Sequence, residues 1–506
     1  MRSMGKILGG ILFWGVIAGL LFVFRPHSFI HRKSVAELTC GQKTAVIILV
    51  ILVILFVCFL MTLSPIWKGS SPGNVYLHAY EQMTEFMLQG HLDYMGETDP
   101  KMLELDNPYD PEERNAAGAD FPWDWAYYKG HYYMYFGVVP IILVFLPHRL
   151  LFGEVPGTYR VSQLFAGLYI AGLAAFLFWC AKNKFRKITL GEMACLLVAF
   201  SLISTVYVAK YPILYQTPVV CGMCLEIWSL FLFSKAVWEE RNERSALRLA
   251  FFGSFLGALS FGCRPTLALA NMLVVPMLIR FLRGKRMTWG LAGRLFWAAS
   301  PYFLAAAGLM LYNYVRFENP FEFGHSYQLT LADQTKLGST IDIGKVITGI
   351  LQQLFAFPGI DGNFPFVRLG TGILISCPLL LFAFIWIKKD KQPDLRKQDL
   401  FTFRVLIPVI ILLIIAIHYI KTPGVWDRYR SDYLWLMCLG AWLGIGEWNE
   451  RRKKLECTSS FLCTAALLCV ALTSAIFLIP DDGSFTECYP EINRSLWSIM
   501  TFGLAG

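Results

Sequence analysis

Asp124 stands between two tryptophans, in Trp123-Asp124-Trp125, and is the first candidate for chemistry in this chain of 506 residues. Trp and Tyr rings offer apolar faces to sugar C–H groups, and a carboxylate beside them can take a proton from a hydroxyl. A carboxylate lined by rings also loses water, which raises its pKa toward neutral pH. The tyrosines that follow are Tyr127, Tyr128, Tyr132 and Tyr133. We therefore predict a sugar-binding segment with Asp124 as general base, against the alternative of an interfacial aromatic belt.

Asp110 is the second candidate base, in Asn107-Pro108-Tyr109-Asp110-Pro111. The setting is also typical of a turn in which the aspartate accepts hydrogen bonds from backbone amides. Glu81 and Asp93 are the remaining acids considered for this role. A further alternative is that no residue acts as a base.

Three arginines lie near the predicted ends of apolar segments: Arg264, Arg428 and Arg430. Guanidinium groups bind phosphate through two parallel hydrogen bonds, so these arginines are predicted to hold the phosphate of a lipid-linked substrate. The alternative is that they are snorkelling arginines at the membrane edge. Glu322 and His325 are predicted to contribute to substrate binding on the same side.

The elements that must position these residues are membrane helices. Hydrophobic residues make up 56% of the chain and charged residues 16%, against about 25% charged in soluble domains. This composition excludes a soluble enzyme, a disordered chain and a secreted disulfide scaffold. About twelve apolar runs are long enough to cross a bilayer. They are 7–24, 44–63, 160–181, 188–208, 211–236, 247–263, 266–283, 293–314, 369–387, 403–420, 431–448 and 460–479.

The predicted fold is thus an all-α, polytopic membrane protein, with one integral membrane domain over residues 1–506. The apolar segment 138–152 is too short to cross and is predicted to be an interfacial helix. With that choice, most of the 45 Lys and Arg residues fall in short loops on one side, which is the cytoplasmic side. The long loops 64–159 and 315–368 are then extracytoplasmic, and a plasma (inner) membrane is expected. The net charge of +9 is mainly a topology signal, so no nucleic-acid partner is expected.

This layout resembles the GT-C membrane glycosyltransferases, which combine many spans with a large first outer loop and interfacial helices. The stretches 107–140 and 313–324 look more closely like uncharacterised bacterial members. The resemblance implies an inverting transfer of a sugar from a polyprenyl-phosphate-linked donor to a glycan, lipid or protein acceptor of the cell envelope. A carboxylate would take the acceptor proton, and arginines would stabilise the departing lipid phosphate. Many family members carry an acidic residue soon after the helix that opens the first outer loop. This chain departs from that pattern, because the stretch 73–81 has no Asp and its first acid is Glu81.

Two other functions are weighed. A transporter or flippase for lipid-linked glycans would need charged or broken helices at mid-membrane, where Glu226 is the main candidate. The third is a non-catalytic membrane protein of envelope assembly. No cofactor and no metal ligand is assigned, because no ligand spacing settles whether a divalent metal is needed. Membrane lipids are expected partners in every case.

Overall fold

The computed structural model describes residues 2–64, 78–240, 242–336, 341–357, 372–385, 395–422, 425–452, 455–478 and 489–503. Residues 73–77 and the two ends of the predicted span 369–387, at 369–371 and 386–387, lie outside these ranges. The described part of that span holds a four-residue α-helix (Ile373–Ser376) and a 3₁₀ helix (Pro378–Ala383). The described chain is almost entirely helical, with one two-stranded sheet. The prediction of an all-α fold is confirmed for the described residues, apart from this short sheet.

The helices are numbered in chain order, with two strands between the fifth and sixth. They are α1 (Arg2–Phe24), α2 (Cys40–Leu63), α3 (Ala79–Leu88), α4 (Pro100–Glu104), α5 (Pro111–Ala117), β1 (Ala126–Tyr128), β2 (His131–Tyr133), α6 (Leu146–Phe152), α7 (Thr158–Asn183), α8 (Leu190–Lys210), α9 (Gln216–Trp238), α10 (Glu243–Phe261), α11 (Val274–Leu282), α12 (Trp289–Phe317), α13 (Ile343–Phe355), α14 (Ile373–Ser376), α15 (Leu395–Lys421), α16 (Ser431–Arg451), α17 (Leu455–Leu478) and α18 (Pro490–Met500).

Eight helices among the described residues are long and apolar enough to cross a membrane: α1, α2, α7, α8, α9, α12, α15 and α17. The protein is therefore polytopic. The helices α10 and α16 form but are not among the eight. In place of the predicted span 266–283, a 3₁₀ helix (Leu267–Leu273) continues into α11. The predicted number of twelve stays a prediction.

The core of the bundle surrounds α16. Trp435 and Trp442 are fully buried there, and nearly every residue from 431 to 446 is shielded from solvent. Around this helix, α7 and α10 pack on α9, while α8 packs on α17. By contrast, α1 and α12 leave most of their apolar side chains exposed, as expected for helices that face lipid.

The segment 138–152 forms one short apolar helix, Ile141–Phe152. Its first part (Ile141–Phe145) is a π-helix that runs directly into α6. Twelve residues at about 1.5 Å each span roughly 18 Å, short of the 30 Å hydrocarbon core. This length agrees with a helix that does not cross.

The first long loop is folded rather than extended. The strands β1 and β2 pair as an antiparallel hairpin, with Ala126 opposite Tyr133. The segment after α12 adds to β1, because the Tyr127 amide donates to the Tyr327 carbonyl at 2.9 Å. Further along, Gly137 packs directly on the turn after α10, where an added Cβ would lie 2.1 Å from the Cys263 oxygen. These contacts hold the loop against the ends of α10 and α12.

Candidate functional site

The backbone around Asp124 is fixed by the segment that follows α12. The Asp124 amide donates to the Leu329 carbonyl at 3.1 Å, and the Leu329 amide donates to the Trp125 carbonyl at 2.9 Å. Asp124 has a φ of +61°, a left-handed conformation that aspartate tolerates better than most residues. The turn before β1 thereby directs this side chain inward, and the residue is 7% exposed.

The Asp124 carboxylate has one hydrogen-bond donor on each oxygen. Tyr215, just before α9, donates its hydroxyl to Oδ2. Gln328 donates its side-chain amide to Oδ1 at 3.1 Å. Burial raises the pKa of Asp124 above its usual value, while Tyr215, the charge of Arg428 and Gln328 act in the opposite direction. The result is a desolvated carboxylate that is still stabilised in its ionised form.

Arg428 is the cation next to this carboxylate. It lies in a short 3₁₀ helix (Asp427–Arg430), and its guanidinium carbon is 4.0 Å from the centre of the Tyr215 ring. It is half-buried, and no described carboxylate lies within 4 Å of it. A guanidinium that is stacked on a ring but lacks a direct counter-ion keeps its hydrogen-bond donors available for an anion.

The second arginine, Arg264, is paired inside the protein. Its Nε lies 2.7 Å from Oδ2 of Asp432, at the start of α16. The same oxygen is contacted by the Thr266 hydroxyl at 3.0 Å and by Nε2 of His418 at 2.8 Å. Although burial opposes its charge, Asp432 and nearby tyrosines raise the pKa of Arg264 above its usual value.

Tyrosine rings join the two halves of the site. Tyr429 lies between the arginines, with its ring centre 5.2 Å from the Arg264 guanidinium carbon and 5.4 Å from that of Arg428. Tyr135 is half-buried and lies in the field of Arg264, Asp124 and Arg428, and burial raises its pKa to about 12. We call this group the Asp124 cluster. Its members are Asp124, Tyr135, Tyr215, Arg264, Thr266, Gln328, His418, Arg428, Tyr429 and Asp432.

The cluster therefore contains two carboxylates and two guanidinium groups, which balance when His418 is neutral. One carboxylate, Asp432, has three partners on Oδ2, and its buried Oδ1 has no hydrogen-bond partner among the described residues. The other, Asp124, has room for one more proton donor on each oxygen. One guanidinium, that of Arg428, has no carboxylate of the described residues in contact. This arrangement can take a proton from a hydroxyl and stabilise an anion within the same site.

Several predicted binding residues lie in the protein core instead of around Asp124. Trp125, Tyr127 and Tyr132 are 1%, 5% and 2% exposed, so their ring faces are closed to a ligand. Trp125 packs on Tyr94, and Tyr127 packs on Tyr132 across the hairpin. This corrects the prediction that these three rings stack on a sugar, because Tyr127 and Tyr132 pair across the hairpin while Trp125, just before β1, packs on Tyr94, and all three form the core of the loop.

The other predicted aromatic residues lie nearer the surface. Trp123 is 37% exposed and stacks on Phe121, with ring centres 6.2 Å apart. Tyr128 packs against Tyr327 at 4.8 Å, and Tyr133 packs against Phe317 at 5.3 Å. The side-chain hydrogen bonds that Asp124 accepts come from Tyr215 and Gln328, in distant parts of the chain, and not from its sequence neighbours.

Glu322 and Asp110 have structural partners. Glu322 accepts from the Gly324 amide at 2.7 Å and so closes its own turn. Asp110 is the N-cap of α5 and accepts from the Glu112 amide at 2.9 Å, which agrees with the turn interpretation of its setting. His325 lies beside the cluster, with its ring 5.9 Å from that of Tyr135, and burial lowers its pKa.

Arg430 is held in place by the protein. It is 3% exposed, and its Nε and Nη1 donate to Gln353 at 3.0 Å and to Tyr207 at 2.9 Å. Its Nη2 lies 3.3 Å from the Asp427 carboxylate. All three nitrogens have protein partners, so Arg430 anchors the 3₁₀ helix that carries Arg428. This corrects its prediction as a phosphate ligand.

Sequence reasoning missed Tyr215 and His418. Tyr215 precedes a membrane helix and His418 lies near the end of one, so both were counted as parts of apolar segments. A tyrosine or histidine within a turn of a span end is the one signal that would have drawn attention to them. In the described parts of the chain, no group of three His, Cys, Asp or Glu side chains is placed to hold a metal ion.

No protein-family model, curated protein or solved structure matches this chain. The fold and the cluster define the class of the protein as an all-α, polytopic membrane protein with a buried acid–arginine site between its first long loop and the ends of its helices. Its function is argued from that site.

Proposed function

We propose that the protein is a GT-C-type glycosyltransferase that moves a sugar from a polyprenyl-phosphate-linked donor to an acceptor in the cell envelope. The observation that carries the proposal is that one cluster holds both Asp124, a buried carboxylate, and Arg428, a guanidinium with no described carboxylate within 4 Å. Transfer from a phosphate-linked sugar needs one base for the acceptor and one cation for the leaving phosphate. The cluster supplies both.

In the proposed step, the acceptor hydroxyl attacks the anomeric carbon of the donor and gives its proton to Asp124. The bond from that carbon to the phosphate oxygen breaks, and its electrons leave with the lipid phosphate. The negative charge that remains on the phosphate is stabilised by Arg428, with Tyr429 and the paired Arg264 beside it. Attack opposite the leaving group inverts the anomeric configuration.

The state of Asp124 suits a base. Burial raises its pKa, which strengthens it as a proton acceptor, while Tyr215 and Gln328 keep the ionised form accessible. Asp110 is the weaker choice because its oxygen already accepts from a backbone amide. Arg264 contributes charge but is held by Asp432, so Arg428 is the arginine expected to contact the phosphate directly.

The proposal includes an extracytoplasmic position for the cluster, in a plasma membrane and in a bundle of about twelve spans. The side follows from the distribution of Lys and Arg in the loops. An impermeant thiol reagent should label Ala116→Cys from outside intact cells and Arg186→Cys only after lysis, in a background without exposed native cysteines. Labelling of Ala116→Cys only after lysis would contradict the extracytoplasmic position of the cluster, and labelling of Arg186→Cys from outside would contradict the assigned topology of the following loop.

The transfer itself is tested with detergent-purified protein, a radiolabelled polyprenyl-phosphate sugar and an envelope extract. Transfer of label without closed vesicles is the expected result. Arg428→Ala should weaken donor binding by roughly tenfold or more, the cost of losing charge-assisted hydrogen bonds to phosphate. Arg428→Lys should lose less, because the charge remains. Unchanged donor binding in both variants would remove Arg428 from the site.

One observation favours the transporter alternative. Glu226 is fully buried in α9, where it accepts from Ser260 and from Asn271, the latter at 2.6 Å, and Tyr302 donates onward to Asn271 at 2.6 Å. Its Oε2 has no hydrogen-bond partner among the described residues. A polar chain of this kind inside a bundle is typical of proton or substrate paths. Label that crosses sealed vesicles, with no transfer in detergent, would support that function instead.

A further inference from the structure

A cavity of about 440 Å³ lies where the interfacial helix Ile141–Phe152 meets the first turns of α7. This volume is within the range of small-ligand sites. We call it the α6–α7 groove and define it by Val144, His148, Tyr159, Arg160 and Leu164, with the connecting loop 154–157. None of these residues belongs to the Asp124 cluster.

One end of the groove is cationic. Arg160 is exposed, and its Nε donates to the Tyr159 hydroxyl at 3.0 Å. No ion pair within 4 Å joins Arg160 to a carboxylate of the described chain, and Glu154, which is exposed in the connecting loop, is the one acid in the lining of the groove. His148 uses Nδ1 on the Glu154 carbonyl at 2.9 Å. The two Nη groups of Arg160 and the Nε2 of His148 are therefore available to an anion.

The other end is apolar. Leu164 follows Arg160 by four residues, about 6 Å along a helix axis, and is 47% exposed. Val144 and Val161 line the same end. At the end of the interfacial helix, Leu150, Leu151 and Phe152 are also exposed, at 67%, 76% and 69%. Apolar side chains in this setting face lipid tails.

The walls of the groove are fixed by two acids of α3. Glu81 accepts from both the Thr158 amide and the Thr158 hydroxyl at 2.7 Å, which caps α7. Glu85 accepts from Arg149 at 2.6 Å, which holds the interfacial helix. Both carboxylates are thus engaged outside the groove, so they do not neutralise Arg160.

We propose that the α6–α7 groove binds a membrane phospholipid with an anionic headgroup. The phosphodiester lies between Arg160 and His148, and an acyl chain runs over Val144 and Leu164. Charge and position along α7 favour this ligand. The cation, Arg160, lies at the end of a membrane helix, and the apolar side chain of Leu164 lies about one turn further into the membrane. A lipid has its phosphate and its first methylene groups at the same separation.

The proposal is tested by native mass spectrometry of the detergent-purified protein titrated with phosphatidylglycerol. Arg160→Gln should weaken binding by roughly tenfold or more, because it removes charge-assisted hydrogen bonds to phosphate. Arg294→Gln is the matched control, since Arg294 is a half-exposed arginine at the start of another membrane helix. It should bind as the wild type does.

A second pair of variants tests the apolar end. Leu164→Ala should weaken binding, whereas Leu168→Ala, an exposed leucine one turn further along α7, should not. If Arg160→Gln does not fold, Arg160→Lys replaces it and should lose part of the affinity. Equal losses in the arginine variant and its control would overturn the proposal, as would displacement of the lipid by millimolar inorganic phosphate. The readout is lipid binding, so its outcome is independent of sugar transfer.

Discussion

Asp432→Asn should destabilise the protein strongly, because it removes the only carboxylate within 4 Å of Arg264 in the described chain. Asp432 is 0% exposed, and three donors meet on its Oδ2, two of which are charged when His418 is protonated. Breaking a buried ion pair costs about 3–5 kcal/mol because the remaining charge has no partner. Since the Arg264 side chain is 20% exposed, water can reach it in part, and we expect about 3 kcal/mol.

The assay is equilibrium unfolding of the purified protein in mixed detergent micelles, followed by tryptophan fluorescence. Glu318→Gln is the control, because it breaks the Lys129–Glu318 pair, whose side chains are 61% and 62% exposed. Exposed pairs contribute little, so this loss should be much smaller. The double variant Arg264→Gln/Asp432→Asn should recover part of the stability, since it removes the unpaired charge. Equal losses in Asp432→Asn and Glu318→Gln, or no recovery in the double variant, would refute the reasoning.

Two further predictions concern the first long loop and the Asp124 cluster. Gly137→Ala should destabilise the protein by about 1–3 kcal/mol or more and lower the amount that folds, because the added Cβ would lie 2.1 Å from the Cys263 carbonyl oxygen. Thermal unfolding of the purified variant measures this loss. An unchanged unfolding midpoint would contradict the close contact. Tyr215→Phe removes a hydrogen bond that lowers the pKa of Asp124. A base works above its pKa, so the acidic limb of the pH profile of kcat/KM should move to higher pH, and a shift to lower pH would contradict the assignment.

Much of the fold was predictable because membrane helices depend on local composition. The apolar runs at 44–63, 160–181 and 188–208 became α2, α7 and α8 with ends displaced by a few residues. The start of α8 is fixed locally, by a capping box between Thr189 and Glu192. What the sequence did not reveal was where runs break, as at the 3₁₀ helix Leu267–Leu273.

The candidate site was predictable only in part. Asp124, Arg264 and Arg428 were selected from their types and meet in one cluster, because the two arginines lie beside helix ends and the loop that carries Asp124 is held by the segment after α12. The aromatic neighbours of Asp124 were assigned to a ligand, yet Trp125 is buried against Tyr94 and Tyr132 is buried in the hairpin. Such partner choices depend on contacts between residues far apart in sequence, which composition and spacing do not encode.

The central claim is that Asp124 is the base of a sugar transfer. The most direct test is turnover of purified Asp124→Asn with a polyprenyl-phosphate sugar donor, beside Asp110→Asn as the matched control from the same loop. Asparagine keeps the shape and removes the basicity, so turnover should fall by roughly 10²–10⁴-fold in Asp124→Asn with donor binding retained, while Asp110→Asn stays near wild type. Near-wild-type turnover in Asp124→Asn would contradict the claim.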